Sequence, residues 1–300
     1  MPRKLLYIVN PIAGTGKKDS LRSLIENKTK HAGIDFEIID SRKDGNYKSL
    51  ESEIAAKNFT HIIICGGDGT VSQTLSSLHH LPVKFGIIPI GSGNGLARAA
   101  KIPMDNNKAI ELALTGDAFA TDALVVNDEF ACMLVGLGFD AAVAHSFAKA
   151  GTRGLLTYVK ETFKNLLTRK HYPVSIQIEE VKIDTDIFLL NIANGNQYGN
   201  EFKIARHANL NDGLFDVIVV KKQSLVSLVM NMITLLMGNK KLQALHVIDP
   251  KSNLNYFQCS AIRIENKANA PFHVDGDSAN SPASLEIKIK AAAYFLVRTK

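Results

Sequence analysis

The residues of this chain best suited to chemistry are Gly66-Gly67-Asp68-Gly69-Thr70. They follow the apolar run His61-Ile62-Ile63-Ile64-Cys65 and precede Val71-Ser72-Gln73-Thr74-Leu75, which predicts a buried strand, a glycine loop and a helix start. That junction suits phosphate. Glycines allow positive φ and close backbone approach, and the first amides of a helix present N–H groups to an anion. Thr70 can cap the helix or donate to the phosphate. Asp68 would repel phosphate unless a divalent cation, Mg2+, stands between the two, so the loop implies a metal-nucleotide. A tight turn whose Asp and Thr merely cap a helix is the plainer account of the same five residues.

The elements that must position this loop alternate in type. Residues 4–9 read as a strand ending at Asn10-Pro11, followed by the loop Ile12-Ala13-Gly14-Thr15-Gly16-Lys17-Lys18. Leu21, Leu24 and Ile25 recur at helical spacing as far as Gly33, and Phe36-Glu37-Ile38-Ile39 is a second strand. A helix is expected at about 47–57, with Leu50, Ile54 and Ala55 facing inward. Phe85–Ile90 then runs into Gly91-Ser92-Gly93-Asn94-Gly95 and the helical Leu96-Ala97-Arg98-Ala99-Ala100. Such alternation gives a parallel sheet covered by helices, with three glycine-bearing loops on one carboxyl edge, where open α/β sheets bind ligands. Lys17 and Lys18 lack P-loop spacing and read as solvated lysines at a helix start.

Beyond about residue 123 the pattern turns to strands: Val125-Val126 and Phe130–Val135 around an Asn127-Asp128 hairpin, then about 173–183, 186–194, 214–220, 285–290 and 293–298, with a basic helix at about 153–170. A nucleotide-binding α/β domain at 1–123 and a mainly antiparallel domain at 124–290 are expected, with a C-terminal strand at about 291–300 able to return to the first. Three hundred residues, 46% of them hydrophobic, suit two domains better than one. The apolar run Leu5–Val9 falls short of a signal peptide, and no span reaches about 18 apolar residues, so a cytoplasmic protein without a transmembrane segment is expected. Cys65, Cys132 and Cys259 suit reduced thiols, and with His145, His171, His207 and His273 show no metal-ligand spacing. The net charge of +6 favours anionic partners such as nucleotide or an acidic membrane surface, and without basic runs interleaved with aromatics no nucleic-acid partner is expected.

In order, Asn10-Pro11, Gly66-Gly67-Asp68-Gly69-Thr70, Gly91-Ser92-Gly93-Asn94, Asp212-Gly213-Leu214-Phe215 and Asp275-Gly276-Asp277 resemble the motifs of the diacylglycerol kinase catalytic family, which includes soluble bacterial lipid kinases and sphingosine and ceramide kinases. The resemblance runs from Tyr7 to the C-terminal strands. It implies an α/β N-terminal domain like that of NAD kinase and phosphofructokinase, a C-terminal antiparallel β-sandwich and an active site in the cleft between them. The implied reaction moves the γ-phosphoryl group of ATP to a lipid hydroxyl, foremost diacylglycerol to phosphatidic acid. Carried over by motif, Asn10, Pro11, Ala13, Gly14, Gly66, Gly67, Asp68, Gly69, Thr70, Val71, Ser72, Gly91, Ser92, Gly93 and Asn94 would hold the nucleotide, with Ser41 at the end of the second strand beside them. Asp68 and Asp122 would belong to the Mg2+ network, and Asp212 with the carbonyls of Asn209 and Leu214 would form a structural Mg2+ site. Asp277 falls where the family has its general base. A primary hydroxyl is a poor nucleophile, so a carboxylate must accept its proton while metal and amides absorb the phosphoryl charge. Asp275-Gly276-Asp277 also reads as a β-turn.

The chain departs from the family pattern at three positions: Asp277 in place of Glu, Gln73 in place of an acidic residue and Gly95 where Asp is frequent. The loop from Gly91 to Ala97 is closer to the sphingosine-kinase variant, so a sphingoid-base or ceramide kinase is an alternative. An NAD kinase shares the Gly-Gly-Asp-Gly motif, but the Asn-Glu pair expected after it is missing. A non-catalytic lipid- or nucleotide-binding protein is a third alternative, against which Asp68, Asp122 and Asp277 argue. Finally, Leu225–Met237, flanked by Lys221-Lys222 and Lys240-Lys241, is too short to span a bilayer. It is either a core helix or a contact with the inner membrane face, and the latter requires apolar residues such as Leu228, Met232 and Leu236 to be exposed. A homodimer stays open.

Overall fold

The computed structural model describes residues 2–11, 18–150, 155–168, 170–197, 205, 207–237, 249 and 251–299. Two compact units emerge, one made of Met1–Ala123, Gln197–Glu201 and Ala291–Lys300, the other of Leu124–Asn196 and Phe202–Lys290.

The first unit contains β1 (Lys4–Val9), α1 (Lys18–His31), β2 (Asp35–Asp40), α2 (Glu51–Ala56), β3 (His61–Gly66), α3 (Asp68–Leu78), β4 (Lys84–Pro89), α4 (Gly95–Ala99), α5 (Asn106–Thr115) and most of β5 (Ala118–Val126). Strands β2, β1, β3 and β4 lie side by side and parallel, and Phe295 and Leu296 pair parallel with Lys84 and Phe85 beyond β4. The central strands are near-continuous apolar runs because helices cover both faces: Leu5, Tyr7, Ile8, Ile62, Ile63, Ile64 and Cys65 have no exposed surface. The helix expected at about 47–57 is a 3₁₀ turn, Lys48–Leu50, followed by α2. Leu50 and Ile54 are buried, but Ala55 is exposed, since Ile54 already takes the inward face and its neighbour points about 100° away.

The second unit continues with β6 (Glu129–Ala131), β7 (Leu134–Gly138), α6 (Phe139–Lys149), α7 (Leu155–Thr168), β8 (Tyr172–Ile178), β9 (Val181–Ala193), β10 (Phe215–Lys221), α8 (Leu225–Met237), β11 (Leu254–Cys259), β12 (Ala261–Asn266), β13 (Phe272–Val274), β14 (Asp277–Ala279) and β15 (Ser284–Val297), whose last residues belong to the first unit. Its ladders are antiparallel, and Leu189–Ala193 of β9 lies between β7 and β10. Leu137, Leu190, Val217 and Ile264 are among the residues of its core. The strand break expected near 184–185 falls instead at Glu179-Glu180, where Glu179 turns with φ 49°. The exposed Lys182 and Asp184 belong to β9 and form ion pairs with Glu265 and Lys267.

Helix α8 divides between its two expectations. Leu228 is buried, and among the described side chains Leu225, Val226 (75%), Met230 (58%) and Ile233 are exposed. Lys221 is buried too, its Nζ donating to the Asp249 carbonyl at 3.1 Å, so it is no solvated flank. The side chains of Met232 and Leu236, and Lys240 and Lys241, lie outside the described residues. Among the described residues no helix is long and apolar enough to cross a membrane.

Candidate active site

At the carboxyl edge of the parallel sheet the ladder runs one step past each strand: Asn10 N donates to Cys65 O at 2.8 Å, Ile90 N to Gly66 O at 3.1 Å and Ser41 N to Val9 O at 2.8 Å. The loops after β1, β3 and β4 are therefore stitched together as they leave the sheet. Asn10 Nδ2 then donates to Thr70 Oγ1 at 2.8 Å, and the amide of Gly95 donates to Asp68 Oδ1 at 2.6 Å. Helix α3 starts at Asp68 with Gly67 as its cap residue, so the amides of its first turn open at this edge without an i−4 carbonyl.

The glycines serve distance. None of Gly66, Gly67, Gly69, Gly91, Gly93 and Gly95 has positive φ, contrary to the expectation from sequence. A Cβ on Gly91 would stand 2.4 Å from Gly67 Cα, so the second and third loops meet glycine to glycine, and a Cβ on Gly66 would stand 2.5 Å from Thr70 Cβ. The left-handed residue is Asn94 (φ 53°), whose side chain accepts from Gly91 N at 3.0 Å and donates to Gly91 O at 2.7 Å.

The structure thus brings together Asn10, Pro11, Gly66–Ser72 and Gly91–Asn94, and sorts them. Thr70 does not cap α3; its buried hydroxyl receives Asn10. Val71 is buried, and its amide bonds Gly67 O at 3.1 Å, so it supports the turn. Asn94 shapes the third loop, whereas Ser92 is exposed. Ala13 and Gly14 lie outside the described residues. Asp122 is 3% exposed, and its Oδ1 accepts the amide of Ala292, a left-handed residue with φ 49°, at 2.8 Å; its visible task is to hold that backbone. Gln73 packs over Gly45, where a Cβ would stand 2.7 Å from its Cδ.

In the second unit, Asp275 and Gly276 form the two-residue turn of the β13–β14 hairpin, with φ of 49° and 87°, and Asp277 follows, exposed, opposite Val274. Asp275 was missed as a structural residue. Its buried carboxylate accepts the amides of Cys132 at 3.0 Å, Met133 at 2.8 Å and Leu134 at 3.0 Å, a nest of consecutive N–H groups. Asp140, Asn191 and His273, buried together, were missed as well. The sequence signal for the first was the left-handed Asp-Gly pair, while the others are far apart in the chain. Asp212 and Gly213 (φ 74°) form an exposed turn in which Asp212 Oδ1 accepts Leu214 N at 3.1 Å, with Asn209 exposed nearby in sequence. Two residues beyond, burial raises the Asp216 carboxyl to about 6, although Tyr256 and Gln258 donate to it.

Residues 4–126 match the diacylglycerol kinase catalytic domain, and residues 133–294 match the YegS C-terminal NAD kinase beta sandwich-like domain. The chain belongs to the diacylglycerol kinase catalytic family. It is 27% identical over 256 residues to the diacylglycerol kinase of Bacillus subtilis strain 168, covering 84% of each chain. To the diacylglycerol kinase of Mycobacterium tuberculosis strain H37Rv it is 24% identical over 305 residues, covering 99% of this chain and 96% of the other. A crystal structure of a diacylglycerol kinase from Bacillus anthracis strain Sterne shares its fold, with a TM-score of 0.75 at 21% identity, over 99% of this chain and 97% of that one.

Proposed function

We propose that this protein transfers the γ-phosphoryl group of ATP to the hydroxyl of diacylglycerol, giving phosphatidic acid. The observation that carries the reading is the sheet edge where the first turn of α3, the Gly67–Gly91 contact and the Asp68 carboxylate come together, a surface of backbone amides beside one acidic group. Asn10, the first turn of α3 and the exposed Ser92 would bind the phosphates and the nucleotide. Among the described residues no three His, Cys, Asp or Glu side chains gather as a metal cluster. A single half-buried carboxylate oriented by Gly95 suits Mg2+, which takes one or two carboxylates and completes its shell with phosphate oxygens and water. When bound, Mg2+ supplies charge neutralisation on the phosphates.

Asp277 accepts the hydroxyl proton as the lipid oxygen forms its bond to the γ-phosphorus and the bond to the ADP oxygen breaks. Its exposure and its place on a tight hairpin support that role. The turn at Asn209, Asp212 and Leu214, an all-oxygen donor set, would hold a second, structural Mg2+. Leu225, Val226, Met230 and Ile233 of α8 would meet the membrane surface from which the lipid is taken.

The Gly91–Asn94 loop favours a sphingoid base or ceramide as second reading, so the experiment is ATP turnover against diacylglycerol, sphingosine and ceramide in mixed micelles, with NAD as a further acceptor. Turnover greatest with diacylglycerol is expected, and lost in Asp68→Asn. Turnover with NAD alone, or with no acceptor, overturns the lipid-kinase reading.

A further inference from the structure

Asn191, Gly136 and His273 form one row across β9, β7 and β13, with the glycine in the middle. Cross-strand partners share a face, so the missing side chain leaves a gap between two polar ones. Asp140, in the first turn of α6, fills it: Oδ2 accepts from Asn191 Nδ2 at 2.9 Å and lies 3.2 Å from His273 Nε2, while Oδ1 accepts the amide of Ala141 at 2.8 Å. A Cβ on Gly136 would stand 2.1 Å from Asp140 Oδ2 and 2.5 Å from His273 Nε2, so the pair exists only because residue 136 is glycine.

Asp140 is 8% exposed and His273 2%. Taking a carboxylate and an imidazole out of water is costly, and apolar residues of the same volume generally serve stability as well or better. What the pair provides is geometry. His273 Nδ1 accepts the amide of Gly276 at 3.3 Å, which assigns the ring proton to Nε2, facing Asp140. Gly276 directly precedes Asp277. The hairpin tip is therefore held twice, by Asp275 on the amides of 132–134 and by His273 braced against α6.

We infer that Asp140 and His273 are positioning residues for Asp277, setting the direction in which the hairpin presents its carboxylate; this rests on Asp277 being the general base. The test is a kinetic cycle on the full chain, with ATP and the panel lipid of highest turnover. Asp140→Asn and His273→Leu should each lower kcat by about 10- to 100-fold while the KM for ATP stays within about twofold. In an Asp277→Ala background the same substitutions should lower kcat no further, because the group they position is gone. Amide hydrogen exchange at Gly276 should speed up in both single variants. A merely structural pair would reduce kcat equally in both backgrounds, and that result overturns the inference, as does a folded Asp140→Asn with wild-type kcat. Asp140→Asn keeps the size and one acceptor oxygen, and carries the cycle if His273→Leu does not fold. Wild-type kcat in Asp277→Ala alone sinks the base assignment instead, whatever the other variants do.

Discussion

The two regions that carry the proposed reactive groups are built on opposite principles. In the first unit the sheet edge is made of backbone: strand ends in register, a helix start, and glycines that touch because they have no side chains. In the second, the β13–β14 hairpin is held by buried charge, through the Asp275 carboxylate on three amides and the Asp140–His273 pair behind it. A phosphate-binding edge needs many N–H groups and no bulk, which peptide backbone supplies on its own. A single carboxylate just past a two-residue turn has little backbone to fix its direction, and side chains from distant segments can do it.

Four measurements would break or sharpen that contrast. Asp277→Ala should lower kcat by about 10²–10⁴-fold, with ATP binding and melting temperature little changed, because the residue is exposed; a kcat within a few fold of wild type moves the base elsewhere. Gly91→Ala forces a Cβ to 2.4 Å from Gly67 Cα, backbone that cannot swing aside, so kcat/KM for ATP should fall by about 100-fold and stability with it. Were alanine tolerated there in full, close packing would not be the reason for the glycine. Asp275→Ala leaves three buried amides without their acceptor and should cost about 3 kcal/mol or more in denaturant unfolding. A loss below about 1 kcal/mol would mean that water replaces the carboxylate.

The smallest effect is expected at His61, a buried polar side chain at the start of β3. Burial, then Arg3 and Lys84, lower its pKa from 6.5 to about 4. The unfolded chain therefore takes up the proton first as pH falls. The neutral histidine's contribution is complete above about 6.5 and is lost towards pH 4. Thermal unfolding of His61→Gln should show a flatter dependence between those pH values, and an unchanged slope would show that other groups carry the acid sensitivity.

Much of the first unit was legible because its signals are local. The apolar run before Gly66 placed β3 within a residue, while α3 begins at Asp68, three residues before the Val71 start that a Thr70 cap implied. Glycine was read there as conformational freedom, whereas its reason is mutual contact between Gly67 and Gly91, segments more than twenty residues apart in the chain. The turn at Asp275-Gly276 was equally legible as a turn. That the first aspartate would be buried was not, since it follows from where residues 132–134 lie.

By itself the sequence determined the alternation of elements, the parallel and antiparallel halves and the motifs at the strand ends, because periodicity and turn chemistry act over a few residues. Only the tertiary structure decided which motif residues support and which are exposed: Thr70, Val71, Asn94 and Asp122 bond backbone or neighbouring side chains, while Ser92 and Asp277 face solvent. It also decided that Gly136 makes room for Asp140 beside His273. The physical reason is that burial and most of these partnerships depend on segments distant in the chain, 60 residues between Asn10 and Thr70 and 133 between Asp140 and His273, and no local pattern encodes that approach.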